Sequence, residues 1–248
     1  MITSKTNELI KHVKSLHQKK FRDEYKEYFV EGVKLINEAI LEKKEIIKIL
    51  ICDELLREEF SIPSEDIIEY VAKNVFEYVS DTQSPQGILA VIKMDEFKGE
   101  VCENTVFALD DLQDPGNLGT ILRSLDSAGI NTLLLSKDTV DLYNPKVIRS
   151  TMGAIFRVKV LDNLDLKEEL LALKKAGYKV VITSLDTNEM HYNLDFSDRL
   201  VIVIGNEAKG VKKEIQELAD IKVKIPMLGR TESLNASVAA SVIAYEKV

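Results

Sequence analysis

Three polar, glycine-bearing stretches hold most of the residue types in this chain that could do chemistry. The first, DDLQDPGNLGTILRS, leaves an apolar run at Asp110, turns through Pro115 and Gly116 and enters a helix near Asn117. Asn117 and Gly119 then sit at the positive end of that helix, where free backbone N–H groups can hold an anion, and Arg123 follows two turns in. A plainer assignment uses the same residues: Asn117 caps the helix, Gly119 packs, and Arg123 pairs with Asp126 at i, i+3. The second stretch, VIVIGNEAKGV, spaces Gly205 and Gly210 like a phosphate-binding loop, but Val211 and Lys212 stand where Lys and Ser or Thr would be needed. Glu207 inside it would repel a phosphate and suits a hydroxyl, an amine or a cation. The third, IPMLGRTESLNASVAAS, passes Pro226 and Gly229 into a small-sided helix capped by Ser233 or Asn235, whose side chains could orient a ligand at its mouth.

Other chemistries are excluded by what is missing. No GxGxxG follows a strand, so the common dinucleotide fingerprint is absent. His12, His17 and His191 lie outside all three stretches, which leaves them structural roles rather than that of a general base. Cys52 and Cys102 form no CxxC and have no histidine cluster beside them, so neither a zinc site nor a disulfide framework is indicated, and no metal is expected.

The elements that must position these loops read as α/β. Leu9, Ile10, Val13 and Leu16 recur at helical spacing behind Thr6 and Asn7, and YFVEG, IIKILIC, IIEYV and GILAVIK alternate as strands with helical stripes to residue 93. Residues 94–104 are polar and aperiodic, a linker. Beyond it TVFAL, TLLLS, YKVVITSL, RLVIVIG and IKVKIP are apolar throughout and separated by amphipathic helices, the pattern of a mostly parallel sheet covered on both faces. Ligands of such sheets sit beyond the carboxyl ends of the strands, where all three loops fall.

The chain has 248 residues, 45% apolar, with a net charge of −8, which fits a folded protein of two domains and excludes a basic coat over the whole surface. Residues 1–22 are the exception: Lys5, Lys11, Lys14, Lys19, Lys20 and Arg22 face a single acid, Glu8, and form a basic arm suited to a polyanion or to a solvated helix face. No leader-type apolar segment opens the chain and no apolar run approaches the roughly 20 residues of a membrane span, so a cytoplasmic protein is expected.

Together, DPGNLGTILRSLDSAG, IVIGNEAKGV and IPMLGRTESLNASVAASVIAYE resemble the three ordered motifs of the SpoU (TrmH-type) RNA ribose methyltransferases of the SPOUT superfamily. YNPKVIRSTMGAIFRVKV strengthens the match, and KKFRDEYKEYFVEGVKLINEAI with SPQGILAV is similar to that family's N-terminal substrate-binding module. The resemblance implies an RNA-binding domain over residues 1–94 and a catalytic domain over 105–248 with a deep trefoil knot, acting as a homodimer. It implies transfer of a methyl group from S-adenosylmethionine to a ribose 2′-oxygen of structured RNA, ribosomal RNA ahead of tRNA, with a non-catalytic RNA-binding protein of the same fold as the alternative. By motif, Arg123 and Asn117 match the pair associated with the target nucleotide, Glu207 the second-motif acid, and Ser233 and Asn235 the third-motif polar pair. Gly205, Ile225 and Leu234 match positions against the cofactor. The second loop departs from the family at Asn206 and Ala208–Lys209, where many members have smaller or glycine-rich residues. The resemblance makes Arg123 the activator of the ribose hydroxyl; a guanidinium is a poor base at neutral pH and a good two-pronged phosphate clamp, so clamping is the role expected of it, with proton removal by Arg123 or by a route it organises left open.

Overall fold

A computed structural model of the protein describes residues 1–58, 60, 64–97 and 101–248. The chain divides into two units, residues 1–96 with 143–156, and residues 97–142 with 157–248. Residues 98–100 of the expected linker lie outside the described residues. Its last part belongs to the second unit, where the Tyr178 hydroxyl donates to the carbonyls of Val101 and Glu103.

The first unit is built on β1 (Glu27–Glu31), β2 (Ile46–Ile51), β3 (Ile68–Tyr70) and β4 (Ile88–Lys93), in the order β1-β4-β2-β3. β4 runs antiparallel to both neighbours, and β2 and β3 are parallel. The helices are α1 (Glu8–Ser15), α2 (Lys19–Tyr25), α3 (Val33–Leu41) and α4 (Lys73–Val79), joined by α6 (Pro145–Thr151) from the excursion at 143–156. Ile10, Val13 and Leu16 share one core with Val75, Phe76, Val79, Leu89 and Val91. The basic arm is therefore no loose arm. Of its apolar stripe Ile10, Val13 and Leu16 are fully buried and Leu9 partly so, Ile2 is tied to Tyr70 and Ala72 by backbone hydrogen bonds, and Arg22 is 4% exposed and donates to the Leu16 carbonyl. Arg22 holds the chain end of α1 and leaves the lysines as the cationic surface. α2 was not expected, since KKFRDEY carries too short an apolar pattern to signal a helix.

The second unit holds a six-stranded parallel sheet in the order β10-β8-β9-β5-β6-β7. Its strands are β5 (Thr105–Leu109), β6 (Thr132–Ser136), β7 (Lys159–Leu164), β8 (Lys179–Thr183), β9 (Leu200–Ile204) and β10 (Ile221–Val223). β5, β6 and β9 are buried at every residue, which only a sheet covered on both faces allows. α7 (Leu166–Lys175) and α8 (Lys213–Gln216) pack on one core with Val106, Ala108, Val201 and Val203, while α5 (Pro115–Ser127) and α9 (Ala236–Tyr245) pack on each other. β7 escaped the sequence pattern because KVLDNL lies at a sheet edge and is half solvated. The helix between β9 and β10 is a single short turn, α8.

The loops after β5, β9 and β10 carry the three motifs. β9 pairs with β5 on the side away from β6, so the loops after β5 and β9 flank the point where strand order reverses. Among the described residues no helix is long and apolar enough to cross a membrane.

Candidate active site

The helix after β5 begins at Pro115, and its cap is Asp114, whose carboxylate accepts from the Asn117 N–H at 2.9 Å. Asn117 is thus relieved of capping and its side chain is free to bridge. Its Nδ2 donates to Glu207 Oε1 at 2.9 Å, and its Oδ1 accepts from Asn235 Nδ2 at 3.0 Å. Glu207 also accepts from the backbone N–H groups of Asp114 at 3.2 Å and Gln113 at 3.3 Å. Asn235 caps α9, its Oδ1 taking Ser237 N at 2.8 Å, Ser237 Oγ at 2.6 Å and Val238 N at 3.4 Å. One chain of hydrogen bonds therefore joins all three motif loops. The orientation of both amides is forced, because a carboxylate at one end accepts only and a backbone N–H at the other donates only. Burial alone would raise the Glu207 carboxyl, but the hydrogen bonds from Asn117, Asp114, Gln113 and its own N–H outweigh it and hold it below the usual carboxylate range.

The second loop keeps its shape through Asn206, whose Oδ1 accepts from Ala208 N and Lys209 N while Nδ2 donates to the Asp111 carbonyl at 2.8 Å. Asn206 and Gly210 also exchange backbone hydrogen bonds, closing the loop on itself. An asparagine side chain thus supplies the turn that a glycine-rich loop would make with backbone alone. Gly205 lies under this closure. A Cβ there would sit 2.2 Å from the Gly210 carbonyl carbon and the Val211 nitrogen, so only glycine fits. Beneath it, buried Asp110 accepts from Lys212 N at 2.7 Å. Burial pushes its carboxyl above the usual value against the pull of Lys212.

A cavity of about 460 Å³ opens between the second and third loops and the end of β8, with Asn206–Val211, Val223–Ile225, Met227 and Glu232–Leu234 among its walls. Ile225, Leu234 and Ser233 line it, whereas Gly205 shapes the loop from behind and does not. Ser233 is exposed at the rim and takes no part in the hydrogen-bond chain; Ser237, which the sequence did not single out, does. A cavity of the same volume in the first unit, bordered by Val33, Arg57, Lys73 and Gln86, contains none of the motif residues.

Arg123 is exposed on α5, and among the described residues its guanidinium makes no hydrogen bond or ion pair. The expected partner Asp126 is taken by Arg157, which meets its carboxylate through Nε at 3.0 Å and Nη2 at 2.9 Å. The pairing of Arg123 with Asp126 is therefore overturned, and the arginine is left available to a ligand. The three histidines do have structural partners: His12 on Glu27, His17 on the Val79 carbonyl and His191 on Glu246.

Comparison with known proteins gives this geometry its family. The SpoU rRNA Methylase family model matches residues 104–245, and an MRM3-like substrate binding domain matches residues 7–90. The chain is 35% identical to a 23S rRNA (guanosine(2553)-2′-O)-methyltransferase of Bacillus subtilis, over 98% of this chain and 97% of the relative. A crystal structure of an RNA 2′-O ribose methyltransferase superposes with a TM-score of 0.81 at 30% identity, covering 99% of this chain and 97% of that one. An AdoMet-bound rRNA methyltransferase from Sinorhizobium meliloti gives 0.86 at 27% identity, covering 99% and 96%. With its catalytic-family match spanning more than half its length and its three motif loops joined by one chain of hydrogen bonds, the chain belongs to the SpoU rRNA methylase family.

Proposed function

We propose that the protein is an S-adenosylmethionine-dependent methyltransferase acting on a ribose 2′-hydroxyl of ribosomal RNA. The observation that carries this reading is the hydrogen-bond chain Glu207–Asn117–Asn235, which locks the three motif loops beside a cavity while leaving Arg123 unpaired. The cavity suits the cofactor. Val223, Ile225, Met227, Leu234 and Leu185 offer apolar walls for a base and an aliphatic chain, and Asp186, Glu207 and Glu232 against Lys209 and Lys224 leave its border with one net negative charge. When bound, the cofactor supplies a methyl group on a positively charged sulfur.

The chain's own residues would do the rest. Arg123 clamps a phosphate of the target nucleotide with its two-pronged guanidinium. Asn117 and Asn235, fixed by Glu207 and by the α9 N-terminus, hold the rim against which the ribose hydroxyl must line up. Ser233, exposed on the cavity wall, offers a hydroxyl to the nucleotide. The catalytic set is thus Arg123, Asn117, Glu207, Ser233 and Asn235, with Ile225 and Leu234 against the cofactor and Gly205 shaping the loop that covers it.

The same reading gives residues 1–94 the docking of structured RNA, gives 105–248 the chemistry within a trefoil knot, and makes the working form a cytoplasmic homodimer. The docking role is supported by the substrate-binding-domain match and the site of the chemistry by the shared cavity of the second and third loops. The test is to incubate the protein with methyl-labelled S-adenosylmethionine and separated rRNA and tRNA pools, then map alkali-resistant ribose. Label in rRNA at one nucleotide is expected. Label in tRNA alone would reject the substrate, and no label in either would reject the reaction.

A further inference from the structure

Two of the arm's lysines converge on one exposed aromatic ring. The ammonium groups of Lys5 and Lys14 each lie 5.1 Å from the ring centre of Tyr78, which is 39% exposed at the end of α4. Among the described residues neither lysine has a carboxylate partner, and the Tyr78 hydroxyl has no hydrogen bond. The backbone beneath is rigid: Asn7 caps α1, Ile10 and Val13 bury one side of it, and Val75, Phe76 and Val79 bury the inner face of α4.

We propose that Tyr78, with Lys5 and Lys14, is a stacking platform for one unpaired nucleotide of the RNA substrate. The proposal rests on the RNA methyltransferase reading and adds a docking subsite to it. An ammonium over an exposed ring is weakly held, so it yields readily to a better partner. A base stacked on an aromatic side chain gains more than that, and its flanking phosphates offer the displaced lysines full negative charges. Ring and cations thus exchange two weak contacts with each other for a stacked base and full phosphate charges. An acidic peptide would satisfy the lysines but leave the ring without a planar partner, so the geometry favours a nucleotide.

The test uses the full chain and an unpaired adenosine hexaribonucleotide, with a blunt RNA duplex as control. Tyr78→Leu should weaken hexanucleotide binding roughly 5- to 100-fold, and Tyr78→Phe, which keeps the ring, by less than about 3-fold. Lys5→Gln with Lys14→Gln should lower the slope of log affinity against log salt by about 1.4. Because the chain has no tryptophan, tyrosine emission can be read directly, and the hexanucleotide should quench the wild type more than Tyr78→Phe. That comparison uses two proteins with the same ring in place and covers the case of a poorly folded leucine variant. Equal quenching, unchanged affinity in Tyr78→Leu, or a Tyr78-dependent affinity for an acidic peptide and none for RNA would each overturn the platform. A melting scan of the wild type with S-adenosylmethionine reads the methyl-donor reading separately. Stabilisation with no Tyr78 effect rejects the platform alone, and a Tyr78 effect without stabilisation rejects the enzyme alone.

Discussion

Replacing Glu207 by glutamine keeps the size of the side chain but removes its charge and one of its two acceptor oxygens. The carboxylate now takes Asn117 Nδ2 at 2.9 Å and Asp114 N at 3.2 Å on one oxygen, and Gln113 N at 3.3 Å on the other. The best glutamine rotamer keeps its oxygen toward Asn117 and Asp114 and aims its amide at the Gln113 N–H, donor against donor. Two charge-assisted bonds become neutral ones, each weaker by about 1 kcal/mol, and the longest bond is lost. Since the site is exposed, water recovers part of this, and the net loss is about 1–2 kcal/mol. For a chain of this size that lowers the melting midpoint by roughly 2–8 °C. If the same energy is what holds Asn117 and Asn235 in place, the single-turnover methylation rate at saturating cofactor and RNA falls about 5- to 30-fold. The pH dependence gives an independent sign. A carboxyl held below its ordinary range contributes stability that is present above about pH 4.3 and is lost as pH falls through the lower folded value, and the glutamine variant lacks that acid-side loss. A variant that melts within about 1 °C of wild type and turns over within about 2-fold would refute the bracing role of Glu207.

Arg123→Ala should leave the melting midpoint almost unchanged, because the guanidinium has no partner among the described residues, yet cut single-turnover methylation more than about 10-fold. Arg123→Lys should rescue poorly, since an ammonium lacks the planar fork, and an alanine variant keeping over a tenth of the wild-type rate would remove Arg123 from the catalytic set. Gly205→Ala should drive the Gly210–Val211 backbone outward and weaken S-adenosylmethionine binding at least about 10-fold by calorimetry, and unchanged affinity would show that the loop does not shape the cofactor wall. Burial raises the Asp110 carboxyl, so its contribution to stability is present at low pH and lost as pH rises through its folded value. Asp110→Asn should therefore gain on the wild type in denaturant titrations as pH rises above the ordinary carboxylate range of about 4, and a difference that stays constant with pH would contradict the upward shift.

Local pattern alone determined much of this protein. Apolar, β-branched runs such as LVIVI and TVFAL read as buried strands, the glycine- and proline-bearing loops follow their carboxyl ends, and the motif residues in those loops carry the family's pattern in the sequence itself. Weak or short patterns failed: KVLDNL at a sheet edge and KKFRDEY in a two-turn helix carry too few apolar positions to register. Segment 143–156 reads in sequence as part of the C-terminal domain, yet it packs within the N-terminal unit, where α6 meets β1. The partners of polar side chains were decided only by the tertiary structure. Asp126 chose Arg157, 31 residues away, over Arg123 on its own helix face, and Asn117 reaches Glu207 and Asn235 across 90 and 118 residues. Periodicity reports which face of an element is buried, because that is settled within a turn or a strand. Which side chains meet at the ends of those elements is settled by strand order, and β5, β9 and β10 bring their loops together only when the whole sheet is assembled.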